Sequence, residues 1–313
     1  MEVLLTGASG FLGKHILAST EFTDSSIRAV YRFGSKSEEH LNRYFVDNID
    51  AHTNWLPALK NIDCVIHCAA RVHVMSDTKS DPLNAYRQVN TEGTVNLAEQ
   101  AMRCGVKRFI FISTIKVNGE ETGVTPYKAS DIANPSDPYG ISKYEAEQAL
   151  LELARRSTME VVIIRPPLIY GPGVKANFAA LAKIVNKGFP LPFGSVIKNK
   201  RSMVGITNLV SLIKECTTNK KAANQVFLVS DEVDLSTADF VTNIARALEK
   251  KTRLFPVPPW LFKLLGVITG KGQVVSRICG SLQVDIEHTK QTLDWKPVQS
   301  VEEGFKEALS KFK

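Results

Sequence analysis

The stretch Leu4–Ile16, LLTGASGFLGKHI, sets three glycines three residues apart, Gly7, Gly10 and Gly13, between an apolar run and a helical pattern. Strand, glycine turn, helix is the order a dinucleotide site needs. Gly7 allows the tight turn, Gly10 lets the backbone approach a pyrophosphate, and Gly13 lets helix and strand pack closely. Few other features this short constrain a chain so much, because they imply a parallel sheet whose first strand ends at a ligand.

The rest of the first half agrees. Short apolar strands at Val3–Thr6, Ile27–Tyr31, Arg43–Val46, Cys64–His67, Arg108–Ser113 and Val161–Ile164 alternate with helical stretches, notably Asn84–Cys104 and Tyr139–Arg156. That alternation is the pattern of an α/β fold with a doubly wound parallel sheet. From Arg165 the texture changes to RPPLIYGPG and GFPLPFG, segments rich in proline and glycine that predict long shaped loops. A strand at Val226–Val229 and helices near Ser236–Glu249 and Val301–Phe312 complete a smaller lobe. We therefore expect a dinucleotide-binding unit over residues 1–165 and a mainly substrate-binding unit over 166–313, with about 203–230 returning to the sheet.

Composition narrows the partners. The net charge of +7 comes from dispersed basic residues, which favours a mildly positive field for anionic small molecules over a nucleic-acid surface. The apolar segment Pro256–Gly270, PVPPWLFKLLGVITG, is broken by prolines and Lys263 and falls short of a membrane span. With no basic, apolar leader ahead of the first strand, the expected location is the cytoplasm. Five cysteines, odd in number and without C-x-x-C, indicate neither a disulfide framework nor a zinc site, and the six histidines show no metal-binding spacing.

The chemistry concentrates in PYGISKYEAE, Pro138–Glu147, where Tyr139 and Lys143 fall four apart at a helix start. That spacing puts phenol and ammonium on one face, where a fixed positive charge favours the phenolate and lowers the tyrosine pKa. Upstream, FIFISTIKVNG ends a strand with Ser113-Thr114, and in a parallel sheet that end opens onto the crevice above the glycine turn.

These pieces, with DCVIHCAA, VNTEGT, RPPLIYGPG and VDIEHTKQTLDW in the same order, resemble the extended short-chain dehydrogenase/reductase superfamily from end to end. The resemblance implies a catalytic set of Thr114, Tyr139 and Lys143. It implies that Gly7, Gly10, Phe11, Leu12 and Gly13 hold the pyrophosphate and that Asp47 approaches the adenine. Ala69 and Ala70 would line a ribose, Asn90 would support the cofactor, Lys143 would also bind the nicotinamide ribose, and Pro166 would lie beside the nicotinamide. In the second strand, Tyr31 stands where an acid would grip the ribose 2′-hydroxyl and Arg32 follows, which points to NADP(H), with NAD(H) as the alternative.

Within the superfamily the chain is most similar to nucleotide-sugar enzymes of bacterial surface-polysaccharide synthesis. Lys116, Asn177, Phe193, Arg201 and, with a less regular spacing, Arg277 would then contact a nucleotide-sugar, UDP-linked by preference. The expected reaction is reduction of a UDP-4-keto-6-deoxy-N-acetylhexosamine at C4. The alternatives are a UDP-hexose or UDP-N-acetylhexosamine 4-epimerase with retained NAD and, more distantly, an NADP(H)-sensing protein without catalysis. A dehydratase fits less well, since Ile115-Lys116 replaces the expected Asp-Glu. The two long helices correspond to those that pair in homodimers of the superfamily, so a homodimer is expected.

Overall fold

The structure is a computed structural model and describes residues 1–34, 42–72, 81–174 and 177–312. Seven strands form one wholly parallel sheet: β1 Glu2–Thr6, β2 Ser26–Arg32, β3 Arg43–Val46, β4 Cys64–His67, β5 Arg108–Ile112, β6 Glu160–Arg165 and, late in the chain, Gln225–Leu228. Two shorter strands fall between the last two, β7 Leu168–Tyr170 and β8 Met203–Gly205, so Gln225–Leu228 is β9. The sheet order is β3-β2-β1-β4-β5-β6-β9. It reverses direction between β1 and β4, and a crevice opens there at the carboxyl ends of the strands.

Near-continuous apolar runs such as RFIFI in β5 and EVVIIR in β6 follow from burial on both faces. One face packs Leu12 and Ile16 of the Phe11–Ala18 helix and Leu209 and Ile213 of the Ile206–Thr218 helix against Val3, Leu5 and Ile110. The other packs Leu97 and Ala101 of the Gly93–Arg103 helix and Ala146 and Leu150 of the Pro138–Arg155 helix against Leu4, Val65 and Phe109.

A third core, around Tyr170, Phe178, Val241, Ile244 and Phe305, serves the later part of the chain. Its helices Thr237–Ala247 and Val301–Ala308 start at reciprocal capping boxes, Ser236 with Asp239 and Ser300 with Glu303. The buried Tyr170 hydroxyl donates to Asp231 at 2.7 Å, and Asp231 also accepts from the Gly205 amide and from Asn208. That network joins the third core to the end of β9.

Two features differ from the pattern in the sequence. The helix expected over Asn84–Cys104 is broken into Pro82–Arg87, a π turn at Gln88–Glu92 and Gly93–Arg103. Within the loop-rich region, β7 and β8 pair in parallel as a separate two-stranded sheet, while β9 alone of the late strands rejoins the main one.

Candidate active site

The crevice at the β1/β4 switch is a cavity of 860 Å³ lined by Gly7, Ser9, Gly10, Tyr31, Arg32, Asn48, Ile49, Ala69 and Ala70 among others. Its floor is the glycine turn. Gly7 has φ +72°, and a Cβ there would lie 2.7 Å from the Ala69 nitrogen. A Cβ on Gly13 would lie 2.2 Å from the Gly7 carbonyl oxygen and 2.8 Å from Ala8 Cα, so this position admits only hydrogen if helix and turn are to pack. The Gly10 amide donates to the Gly7 carbonyl at 2.8 Å, and Gly10 is the N-cap of the Phe11–Ala18 helix, so the positive end of the helix faces the cavity.

Phe11, Leu12 and Gly13 act here through backbone and packing: Leu12 is buried in the core and Phe11 lies edge-on to His15. Asp47 is exposed and does not line the cavity; its neighbours Asn48 and Ile49 do.

A buried polar chain supports the turn from below. His67, fully buried, bonds Thr6 Oγ1 through Nδ1 at 2.7 Å and Thr94 Oγ1 through Nε2 at 3.0 Å, while Thr94 donates to the Asn90 carbonyl and the Ala69 amide donates to Thr6. Burial, with the nearby Lys143 charge adding to it, holds His67 down to about 3, so it is neutral at physiological pH. Asn90 lies inside the π turn, a feature common at functional sites. Its amide nitrogen donates to the Arg71 carbonyl and to Ser142 Oγ, and its oxygen accepts from the Arg71 amide. Asn90 therefore fixes the loop that follows β4, with Ala69 and Ala70, against the Pro138–Arg155 helix.

That helix carries the chemistry. Asp137 caps it, accepting from the Gly140 amide at 2.7 Å, and Pro138 occupies its first position. Tyr139, Lys143 and Glu147 recur every four residues along one side. Lys143 is buried, with its ammonium 3.9 Å from the centroid of the Phe111 ring, which His67 stacks against. Burial pushes Lys143 down to about 7, against the pull of the Glu147 carboxylate one turn on. Tyr139 lies edge-on to Tyr86, and its phenol is held above its ordinary range by burial first, then by Asp137 and Tyr86. This corrects the expectation from the i, i+4 spacing: burial and the neighbouring Asp137 and Tyr86 raise the phenol rather than lower it.

Ser113 and Thr114 separate into different roles. The buried Ser113 hydroxyl donates to Glu147, whose carboxylate pairs with Arg165 Nη2 at 2.6 Å and with Arg165 Nε at 3.0 Å. Arg165 Nη1 donates to Asn118 Oδ1 at 2.9 Å, completing a dry network under the helix. Thr114 instead caps the short turn Ile115–Val117, its hydroxyl oxygen accepting from the Lys116 amide at 3.3 Å and leaving its proton to donate. That turn abuts the helix start, with the Lys116 carbonyl 3.1 Å from where a Cβ on Gly140 would sit.

The Lys116 ammonium is engaged by carboxylates, pairing with Asp137 and with Glu120 at 2.9 Å. Pro166 is buried, its carbonyl accepting from the Ile115 amide at 3.0 Å.

Farther out, Arg201 bridges by backbone to Leu235 and Leu282 and donates to the Gly280 carbonyl at 3.3 Å. Burial lowers its pKa, and Arg277 is close enough to lower it further against the opposing Glu121. The two arginines expected to meet a diphosphate are thus near each other. Phe193 packs against Phe262 with ring centroids 6.0 Å apart. Asn177 begins the Asn177–Asn186 helix, and its side chain lies outside the described residues. No group of metal-binding side chains occurs among the described residues.

Sequence reasoning missed Glu147, Arg165, His67 and Asn48. Glu147 had a signal, standing four residues beyond Lys143 on the same helix face.

The sequence profile described as the NAD dependent epimerase/dehydratase family matches residues 3–230. The chain belongs to that family. The chain is 54% identical over 313 residues to a Vibrio cholerae protein named UDP-glucose 4-epimerase, covering 99% of this chain and 95% of the relative. It is 30% identical to an Escherichia coli O157:H7 protein named N-acetyl-alpha-D-glucosaminyl-diphospho-ditrans,octacis-undecaprenol 4-epimerase, covering 91% and 87%.

Among solved structures it matches the UDP-glucuronic acid 4-epimerase of Bacillus cereus in complex with NAD, with TM-score 0.78, 20% identity and coverage of 99% and 96%. It also matches the UDP-glucose 4-epimerase of Thermotoga maritima with UDP-glucose, with TM-score 0.78, 22% identity and coverage of 100% and 98%. Those likenesses establish the family's Rossmann fold over the whole chain. The family's chemistry makes the chain an NAD(P)-dependent enzyme.

Proposed function

We propose that the chain is a 4-epimerase of a UDP-hexose or UDP-N-acetylhexosamine that keeps NAD bound through turnover. The observation that carries this is the 54% identity, over nearly the full length of both chains, to a protein named UDP-glucose 4-epimerase. It favours the epimerase over the C4 keto reduction preferred from the sequence alone. The cavity fits the cofactor: the missing side chains at Gly7 and Gly13 let the turn close against Ala69 and Ala8, and the helix N-terminus supplies the positive potential a pyrophosphate needs. Ala69 and Ala70 would line a ribose, and Asn48 and Ile49 would face the adenine.

A dinucleotide held over the glycine turn by Gly7, Gly10 and the loop of Ala69 and Ala70 would supply reversible hydride transfer at the sugar's C4. The chain's own part is the proton. Tyr139 accepts it from the C4 hydroxyl and gives it back, and Thr114, with its hydroxyl proton free to donate, holds that oxygen. Lys143, poised to gain or lose a proton near neutrality, steadies the phenolate from one helical turn away. Ser113 is excluded from this role because its hydroxyl is committed to Glu147. Arg201 and Arg277 would grip the substrate diphosphate.

The test is turnover of UDP-galactose and UDP-N-acetylgalactosamine without added cofactor, with the nucleotide released from denatured protein identified by chromatography. Epimer formation with NAD released is the expected result. A second reading rests on Arg32, which lines the cavity beside Tyr31 and suits a 2′-phosphate. Stoichiometric loss of NADPH with a UDP-4-keto-6-deoxy-N-acetylhexosamine, and no epimer, would establish that reductase instead. Either enzyme is proposed to work as a homodimer paired through the Gly93–Arg103 and Pro138–Arg155 helices; a monomeric mass in light scattering would refute the pairing.

A further inference from the structure

Apart from Phe262, which packs on Phe193, the segment PVPPWLFKLLGVITG takes no part in the site described above. Its Pro259–Ile268 helix is apolar on two sides. The inner side packs: Phe262 meets Phe193, and Gly266 sits so close to Val275 that a Cβ would lie 2.7 Å from that side chain. The outer side is open. Trp260, Leu264, Val267 and Ile268, spaced i, i+4, i+7 and i+8, form one stripe, with Trp260 64% and Val267 79% exposed. A contiguous apolar stripe on a soluble chain marks a surface that something covers.

Charge identifies what covers it. From Lys250 through Val284 the chain has no Asp or Glu and carries Lys250, Lys251, Arg253, Lys263, Lys271 and Arg277, whereas the chain as a whole has 32 acidic residues in 313. Lys263 lies mid-helix beside the stripe, and Lys271 follows three residues beyond the helix end. A second copy of the chain meeting this face in a two-fold dimer would set these cations against one another. A short helix with an apolar face containing Trp, rimmed by lysines, is instead the composition of a helix lying in the plane of a bilayer interface. At ten residues it is too short to cross, and no described helix is long and apolar enough to do so.

We propose that the outer face of the Pro259–Ile268 helix docks the protein on an anionic phospholipid surface. The inference is independent of whether the reaction is epimerisation or reduction. Trp260 supplies the readout, because the other two tryptophans, Trp55 and Trp295, are buried. The full-length protein is mixed with vesicles of phosphatidylglycerol and phosphatidylcholine in equal parts, or of phosphatidylcholine alone. Co-sedimentation with the anionic vesicles only, a blue shift of tryptophan emission, and weakening with salt are expected.

Lys263→Gln and Lys271→Gln should each weaken binding roughly fivefold. Val267→Asp should abolish it while leaving the thermal melt unchanged, since the side chain is exposed. No sedimentation and no blue shift would overturn the proposal. So would a wild-type dimer that Val267→Asp dissociates in light scattering, because the face would then belong to a second copy.

Discussion

Replacing Glu147 by Gln tests the least visible part of the site. Its carboxylate is fully buried, accepts from Ser113 and pairs with Arg165, whose side chain is 6% exposed. The amide keeps one acceptor but turns a donor toward the guanidinium, so Arg165 is left as a buried cation without its counter-charge, with Asn118 as a neutral partner. Breaking a buried pair from one side costs about 3–5 kcal/mol. Against a total stability of about 5–15 kcal/mol that loss is severe, and it should lower Tm by roughly 5–10 °C.

The same change removes the charge that holds Lys143 up against burial, so the Lys143 pKa should fall below its present value of about 7. If protonated Lys143 is the active form, the basic limb of the kcat/KM profile then moves to lower pH. Denaturant unfolding measures the first effect and a pH–rate series the second. Glu147→Met with Arg165→Met, which removes both charges, should recover to within about 2 kcal/mol of wild type. If Glu147→Gln unfolds within about 1 kcal/mol of wild type and leaves the basic limb in place, the network neither stabilises the fold nor tunes the lysine.

Tyr139→Phe should reduce kcat by roughly 10²–10⁴-fold with retained nucleotide unchanged, and Thr114→Val by about 10–100-fold; equal activity of either variant would remove that residue from the proton path. Gly13→Ala, whose Cβ would lie 2.2 Å from the Gly7 carbonyl, should displace the turn, so the purified protein should carry little bound dinucleotide. Stability should fall as pH drops from about 6.5 toward about 3, because His67 stays neutral in the folded chain while the unfolded chain takes up the proton. Its share is about 1.4 kcal/mol per pH unit in that window, and His67→Gln should flatten the slope by one proton in denaturant titrations at successive pH values.

Much of this was legible in the residues. The seven main strands lie where apolar runs of four to seven residues are bounded by turn formers, because a parallel sheet buried on both faces writes itself as such runs. The glycine turn was legible because backbone proximity excludes every other side chain at Gly7 and Gly13. What stayed hidden depends on pairing across long separations. β7 and β8 are three residues each and exist through one another, 35 residues apart in register. The π turn at Gln88–Glu92 interrupts a helical periodicity that local propensity would continue; there Asn90 reaches both the loop after β4 and Ser142, 52 residues on. Likewise Arg165 reads as the end of a strand, and only the fold brings Glu147 and Asn118 to it.

The tyrosine shows how far a spacing argument reaches. Four residues along a helix do place phenol and ammonium on one face, but whether the ammonium carries a charge depends on the dielectric around it. Here Phe111 lies beneath the Lys143 nitrogen and the stacked His67 is neutral, so burial pushes the lysine down to about 7, while the phenol is raised by its own burial first. Glu147 is the one carboxylate pulling the other way, and it is shared with Arg165 and Ser113. The balance is therefore set from beneath the helix: strengthening the hold of Arg165 on Glu147 weakens the pull on Lys143, and loosening it strengthens that pull.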